Sequence, residues 1–235
     1  MIEVAPDAAG LAMRAATRIV STARRAIADR GRCVLMLSGG ATPRATYAKL
    51  ASEEFAGQVD WSRVHITLGD ERCVPYDDPR SNFRMVSELL TSKVPIPAAN
   101  VYPVPVDRPP AEAALAYERT LRSLLGTEQP DLVLLGLGDD GHTASLFPGH
   151  AAVGERVRWV VAEEIAEQVM WRITVTPPLL NAAREIIFLV SGAGKADVLR
   201  SVLEPPRDPD SLPAQVIHPG SGRLDWLVDE AAAGR

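Results

Sequence analysis

The stretch Cys33-Val34-Leu35-Met36-Leu37-Ser38-Gly39-Gly40-Ala41-Thr42-Pro43 sets the fold class. Five apolar residues in a row, without alternation, read as a strand buried on both faces, as in a parallel sheet. Gly39 and Gly40 then permit a tight turn, and Thr42-Pro43 offers an N-cap followed by proline at the first helical position. A helix is predicted from there to about Ser52. A buried strand that runs straight into a helix is the first half of a parallel crossover unit.

The same alternation continues in both directions. Upstream, Leu11, Ala15, Ile19, Ala23 and Ile27 recur every four residues, with Arg14, Arg18 and Arg25 off that line and Gly31 closing the segment. The Ala- and Arg-rich composition is also that of a transit peptide, but the stripe and the glycine stop point to a docked first helix. Downstream, Val64–Leu68, Leu132–Leu137, Val157–Ala162, Arg172–Val175, Ile186–Val190 and Val216–Ile217 read as strands. Helices are predicted at Asn82–Leu90, Ala111–Leu125, Pro178–Arg184 and Lys195–Leu203. Six prolines make Pro95–Pro110 an extended connection, and Pro205–Pro213 is a second one. The expected fold is α/β: one domain over residues 1–235, with a single doubly wound, largely parallel sheet covered by helices on both faces.

Composition narrows the function. Of 235 residues 46% are apolar and 23% charged, and 30 acids against 25 bases leave a net charge of −5. That balance argues against nucleic acid or an anionic membrane as partner while leaving a local basic pocket open. Cys33 and Cys73 sit in apolar stretches, form no disulfide framework and fit a reduced, cytoplasmic setting. No apolar run approaches the ~18 residues of a membrane span.

In open parallel sheets ligands bind beyond the carboxyl ends of the strands, so the loops there hold the candidate residues. Gly39 and Gly40 let a backbone approach an anion at the start of the next helix, or simply make a tight turn. After Val64–Leu68 comes Gly69-Asp70-Glu71-Arg72, where Arg72 suits a bidentate grip on phosphate or carboxylate, unless the charges are a solvated turn. Ser81-Asn82 follows, supplying neutral hydrogen bonds or a helix cap. After Leu132–Leu137 comes Gly138-Asp139-Asp140-Gly141-His142-Thr143-Ala144-Ser145. A histidine beside carboxylates in a glycine loop is placed for general acid–base work, or is held by a capping Asp.

Two motifs mislead. Gly136, Gly138 and Gly141 spell G-x-G-x-x-G after a strand, with Glu163 downstream, but Pro148-Gly149 denies the long helix that a dinucleotide site needs, and His142 would crowd the pyrophosphate. Gly192-Ala193-Gly194-Lys195 resembles the end of a Walker A loop, yet Leu189 stands where its first glycine belongs and Ala196 replaces the Mg²⁺-binding hydroxyl. What survives is Lys195 opening a helix, as a phosphate partner or an ordinary surface charge. Gly220-Ser221-Gly222 lacks nucleophile-elbow spacing. His65, His142, His150 and His218 show no H-x-x-x-H pair and the cysteines no C-x-x-C, so neither a metal nor another cofactor is expected.

Together the loops resemble the 6-phosphogluconolactonase family. The resemblance covers nearly the whole chain. It rests on Leu37-Ser38-Gly39-Gly40 with Thr42-Pro43, on Gly69-Asp70-Glu71-Arg72-Cys73-Val74-Pro75 with Ser81-Asn82, and on Leu135-Gly136-Leu137-Gly138 running into Asp140-Gly141-His142-Thr143-Ala144-Ser145-Leu146-Phe147-Pro148-Gly149. Arg172-Ile173-Thr174 leading to Pro178 and Asn181, and Gly192 with Lys195-Ala196, complete it. The related glucosamine-6-phosphate deaminases differ: their histidine loop continues toward Ala-Phe-Asn-Glu-Pro, and Asp-Glu-Tyr replaces Asp70-Glu71-Arg72.

The resemblance implies a Rossmann-like fold of the sugar-phosphate deaminase/isomerase type and hydrolysis of 6-phospho-D-glucono-1,5-lactone in the oxidative pentose phosphate pathway. His142 would be the base and Asp140 would orient the imidazole or a sugar hydroxyl. Arg72 and Lys195 are assigned to the 6-phosphate, Gly39, Gly40 and Thr42 to the same pocket, with Asp70, Asn82 and Arg172 in support. The implied partner is a sugar-phosphate lactone, and the protein is expected as a monomer or small homo-oligomer. The rivals are a deaminase or isomerase on this fold and a sugar-phosphate sensor. The sensor would need a DNA-binding unit, for which the ~32 residues before the first predicted strand are too few.

Overall fold

The computed structural model describes residues 1–166 and 169–235. The chain opens with strand β1 (Ile2–Ala5), which sequence reading missed, and helix α1 (Ala8–Arg30). Asp7 caps α1 by accepting from Gly10 N at 2.7 Å, and Gly31 ends it in the left-handed region at φ 79°. A cap of this kind contributes about 1 kcal/mol. Leu11, Ala15, Ile19 and Ala23 are buried, and α1 lies against β2 (Cys33–Leu37), so the Ala/Arg segment is a docked helix.

Helix α2 (Ala41–Leu50) starts one residue before the predicted cap, directly behind Gly40, whose φ of 102° glycine adopts without strain. The short α3 (Glu53–Ala56) leads to β3 (Val64–Leu68), β4 (Asp70–Arg72) and α4 (Asn82–Val86), which continues as a π-turn to Thr91. The proline-rich connection carries one two-residue strand, β5 (Val101–Tyr102), before α5 (Pro110–Leu125) and β6 (Leu132–Gly136). Then come β7 (Val160–Ile165), β8 (Met170–Val175), α6 (Pro177–Leu180), β9 (Glu185–Val190), α7 (Ala196–Leu203) and β10 (Arg223–Asp229).

Seven strands form one parallel sheet in the order β1-β10-β9-β6-β2-β3-β5. Every residue of β2 and β9 is buried, as a sheet covered on both faces requires. Two predicted strands lie elsewhere: β7 and β8 pair antiparallel with each other, and β8 with β4, in a second sheet of order β4-β8-β7. The reason is reach. Only four residues separate β7 from β8, whereas a parallel crossover takes a dozen or more. β7 also runs three residues later than predicted, because its polar Glu163 and Glu164 face partly outward.

Val216–Ile217 is not a strand. Residues 213–216 form a 3₁₀ turn, and Asn181 takes the backbone groups a sheet would have used: its Nδ2 donates to Val216 O (2.9 Å) and His218 N donates to its Oδ1 (2.6 Å). The last strand is β10, disguised by three charges in Arg223-Leu-Asp-Trp-Leu-Val-Asp. Buried Asp225 is tolerated there because Arg18 donates to it at 2.6 Å and Arg223 lies 2.5 Å away. The predicted helix to Arg184 stops at Leu180, as Arg184 N turns to Pro130 O and β9 begins. Among the described residues no helix is long and apolar enough to cross a membrane.

Candidate active site

Strands β9, β6, β2 and β3 are consecutive neighbours in the sheet, and the four loops singled out above follow them. At ~4.8 Å per strand these loops start within about 15 Å of one another. Chain order reverses between β2 and β6, the switch point where a crevice opens between loops leading to opposite sides. A cavity of about 260 Å³ lies there, lined by Gly39, Gly40, Thr42, Asp70, Arg72, Asn82, His142, Arg172 and Lys195. Nine of the ten predicted site residues thus share one cavity. The tenth, Asp140, stands behind His142 on the solvent side.

The histidine loop is folded by its own short-range bonds. Gly138 N donates to His142 O at 2.8 Å, Gly141 takes φ 79°, and Thr143 Oγ1 donates to Gly136 O at 2.8 Å. No helix follows Gly141; Thr143 and Leu146 form an isolated bridge instead, as the reading of the glycine motif as a decoy expected. Asp140 Oδ1 accepts from His142 N at 3.1 Å and lies 2.5 Å from Nδ1. Burial pushes the Asp140 carboxyl up, but the bonds from the His142 side chain and backbone outweigh this and hold it below the ordinary carboxylate value. The imidazole also packs on Phe147, with ring centroids 4.2 Å apart.

The cationic wall comes from three elements. Arg72 ends β4, not a loop, and its Nη1 donates to Arg80 O (2.6 Å) and Asn82 Oδ1 (2.8 Å). Arg172, on β8, lies over the Phe147 ring with Nη1 3.5 Å from Asp70 Oδ2, and burial lowers its pKa. Lys195 reaches in from the loop after β9 and donates to Asp139. Arg72, Arg172 and Lys195 thus bring three cations to the cavity, with Asp70 paired to Arg172 and Asp139 to Lys195.

Asp70 ties the walls together. Its Oδ1 accepts from Asn82 Nδ2 at 3.1 Å and its Oδ2 from Ser145 Oγ at 2.7 Å. Sequence reading gave no role to Ser145, nor to Glu71, which is fully buried and accepts from Asn82 N, Phe83 N, Arg72 N and Ser81 Oγ. Burial pushes the Glu71 carboxyl up despite those bonds. Neither role has a local sequence signal, because apart from Arg72 N the partners lie 10–75 positions away. Around Gly39, by contrast, the motif has a steric cause: a Cβ there would lie 1.9 Å from Asn82 Oδ1.

The cavity at the switch point is thus lined by glycine turns, a carboxylate-backed histidine and a cluster of cations. The family model described as glucosamine-6-phosphate isomerases/6-phosphogluconolactonase matches residues 6–226. The chain belongs to this family. Within it, the chain is 40% identical over 227 residues to 6-phosphogluconolactonase of Synechocystis sp., covering 93% of this chain and 91% of that one. To the rat (Rattus norvegicus) 6-phosphogluconolactonase it is 41% identical over 211 residues, covering 87% and 81%. The crystal structure of 6-phosphogluconolactonase from Thermotoga maritima matches with a TM-score of 0.85 at 32% identity, over 98% of this chain and 99% of that one. The parallel sheet and the crevice at its carboxyl edge are therefore the family's fold.

Proposed function

We propose that this protein hydrolyses 6-phospho-D-glucono-1,5-lactone to 6-phospho-D-gluconate, a step of the oxidative pentose phosphate pathway, with residues 1–235 working as one domain. One observation carries the reading: a histidine backed by a carboxylate lines the same cavity as three cations. The names of the similar proteins support it.

A δ-lactone is an activated ester, so one base and one water open it without a covalent intermediate. With Nδ1–H donated to Asp140, Nε2 of His142 keeps the free lone pair. Nε2 takes a proton from water as the oxygen attacks the C1 carbonyl, and returns it to the ring oxygen as the C1–O bond breaks. Asp140 fixes the tautomer, and backbone N–H groups of the glycine loops hold the developing oxyanion. Arg72 and Lys195 bind the 6-phosphate beside Gly39, Gly40 and Thr42. Arg172, Asp70 and Asn82 support them. The reading takes no metal or other cofactor.

The test is a timed assay on freshly made lactone, corrected for spontaneous hydrolysis and with no cofactor added. Acceleration supports the reading; release of ammonia from glucosamine-6-phosphate without lactone hydrolysis overturns it. The reading also takes a cytoplasmic protein with no nucleic-acid or membrane partner, as a monomer or small homo-oligomer, which sedimentation measures.

A further inference from the structure

The loop that carries Lys195 is short and has little of its own to hold it. It leaves β9 at Val190, passes Ser191 and Gly192, and makes one 3₁₀ turn, Ala193–Lys195, before α7. Within it, Lys195 N donates to Gly192 O at 3.0 Å. Gly192 sits at φ 97°, a conformation that glycine adopts without the strain a side chain would bring.

What grips the loop is a carboxylate from the next strand. Asp229, the last residue of β10, is 3% exposed. Its Oδ2 accepts from Ser191 Oγ at 2.5 Å, and both its oxygens accept from Gly192 N, at 3.0 and 3.1 Å. Ala232 N donates to Oδ1 at 2.8 Å from the other side. Among the described residues it has no ion pair, so its charge is met by N–H and O–H donors alone. Those donors aim at one point only while Ser191 and Gly192 keep this turn. A buried carboxylate left with fewer bonds would be costly, so the two sides hold each other in place.

We infer that Asp229 is a positioning residue for substrate phosphate: by clamping Ser191 and Gly192 it fixes the turn that points Lys195 into the cavity. The inference rests on the lactonase reading and deepens it. Asp229 itself does not line the cavity, so it acts through Lys195.

The experiment compares Asp229→Asn and Ser191→Ala with the wild type on 6-phosphoglucono-δ-lactone and on unphosphorylated glucono-δ-lactone. It adds a calorimetric titration with inorganic phosphate. Asp229→Asn keeps the volume but offers an NH₂ where a donor already points; Ser191→Ala removes a single bond and spares the fold. The expected result is a KM for the phosphorylated lactone raised roughly 10-fold in Asp229→Asn and less in Ser191→Ala, with kcat nearly kept. Phosphate binding should weaken in parallel, and the loss on the unphosphorylated lactone should be much smaller. In a Lys195→Ala background Asp229→Asn should add little, since the two act as one unit.

Equal loss on both substrates, additivity with Lys195→Ala, or unaltered phosphate binding in both variants would overturn the inference. A wild type inactive on the lactone would instead sink the lactonase reading, and the phosphate titration would still decide for or against the clamp.

Discussion

The imidazole of His142 rests directly on the backbone of Gly138: a Cβ at position 138 would lie 2.0 Å from Nδ1. The Asp140–His142 pair therefore needs hydrogen at that position. Gly138→Ala must push the ring off its place, while position 138 is not among the glycines with positive φ. We expect a kcat loss of roughly 10²-fold, as misplacement by ~1 Å produces, with little change in melting temperature. Retained activity, read by the lactone assay beside a thermal melt, would show that the ring position does not matter.

For the histidine itself, His142→Ala should lower kcat by roughly 10²–10⁴-fold with a modest change in KM, the size of a general-base contribution. A folded variant with most of its activity would remove His142 from the mechanism. In Asp140→Asn the plateau of kcat should drop, because the amide no longer fixes the imidazole tautomer as the carboxylate does.

The phosphate clamp is separable from the chemistry. Charged hydrogen bonds contribute ~1.5–3 kcal/mol, so Arg72→Ala or Lys195→Ala should each cost roughly 10- to 150-fold in kcat/KM on the phosphorylated lactone. On glucono-δ-lactone the same variants should be nearly silent. Two solvated surface charges would give little change on either substrate, and action on the carbonyl would give equal loss on both.

Chelation is the cheapest check on the cofactor-free reading. Among the described residues no group of three or more His, Cys, Asp or Glu side chains is arranged to hold a metal. Full activity is expected after exhaustive EDTA treatment and desalting. Loss restored by Zn²⁺ or Mg²⁺ would contradict it.

Far from the site, Asp225 should govern part of the acid stability. Burial pushes its carboxyl up, but the bonds from Arg18 and Arg223 prevail and hold it below the ordinary value. A depressed carboxylate stabilises the fold above its unfolded pKa of ~3.9, and that contribution is lost as pH falls through the folded value. Asp225→Asn should therefore cost about 1.5 kcal/mol at neutral pH, roughly 3–6 °C in melting temperature, and flatten the decline below about pH 4. A variant that melts in parallel with the wild type across that range would exclude Asp225.

The sequence by itself determined the elements whose signal is local. Unbroken apolar runs marked β2, β6 and β9, since both faces of a central parallel strand are buried, and the alternation of Val64, Ile66 and Leu68 marked β3. The glycines after them are legible because the backbone turns or a side chain packs there, as at Gly39, Gly40 and Gly138. Three features came only from the tertiary structure. Strand β10 hides its pattern behind charges that become tolerable once Arg18 from α1 reaches Asp225. The second sheet is a matter of which edges meet: Val175 N bonds Gly69 O, and so joins β8 to the end of β3. The bonds that aim the site, from Ser145 to Asp70 and from Ser191 to Asp229, join residues 75 and 38 positions apart. Hydrogen bonds of that range leave no periodicity in the chain, because each partner is chosen by where the sheet brings it.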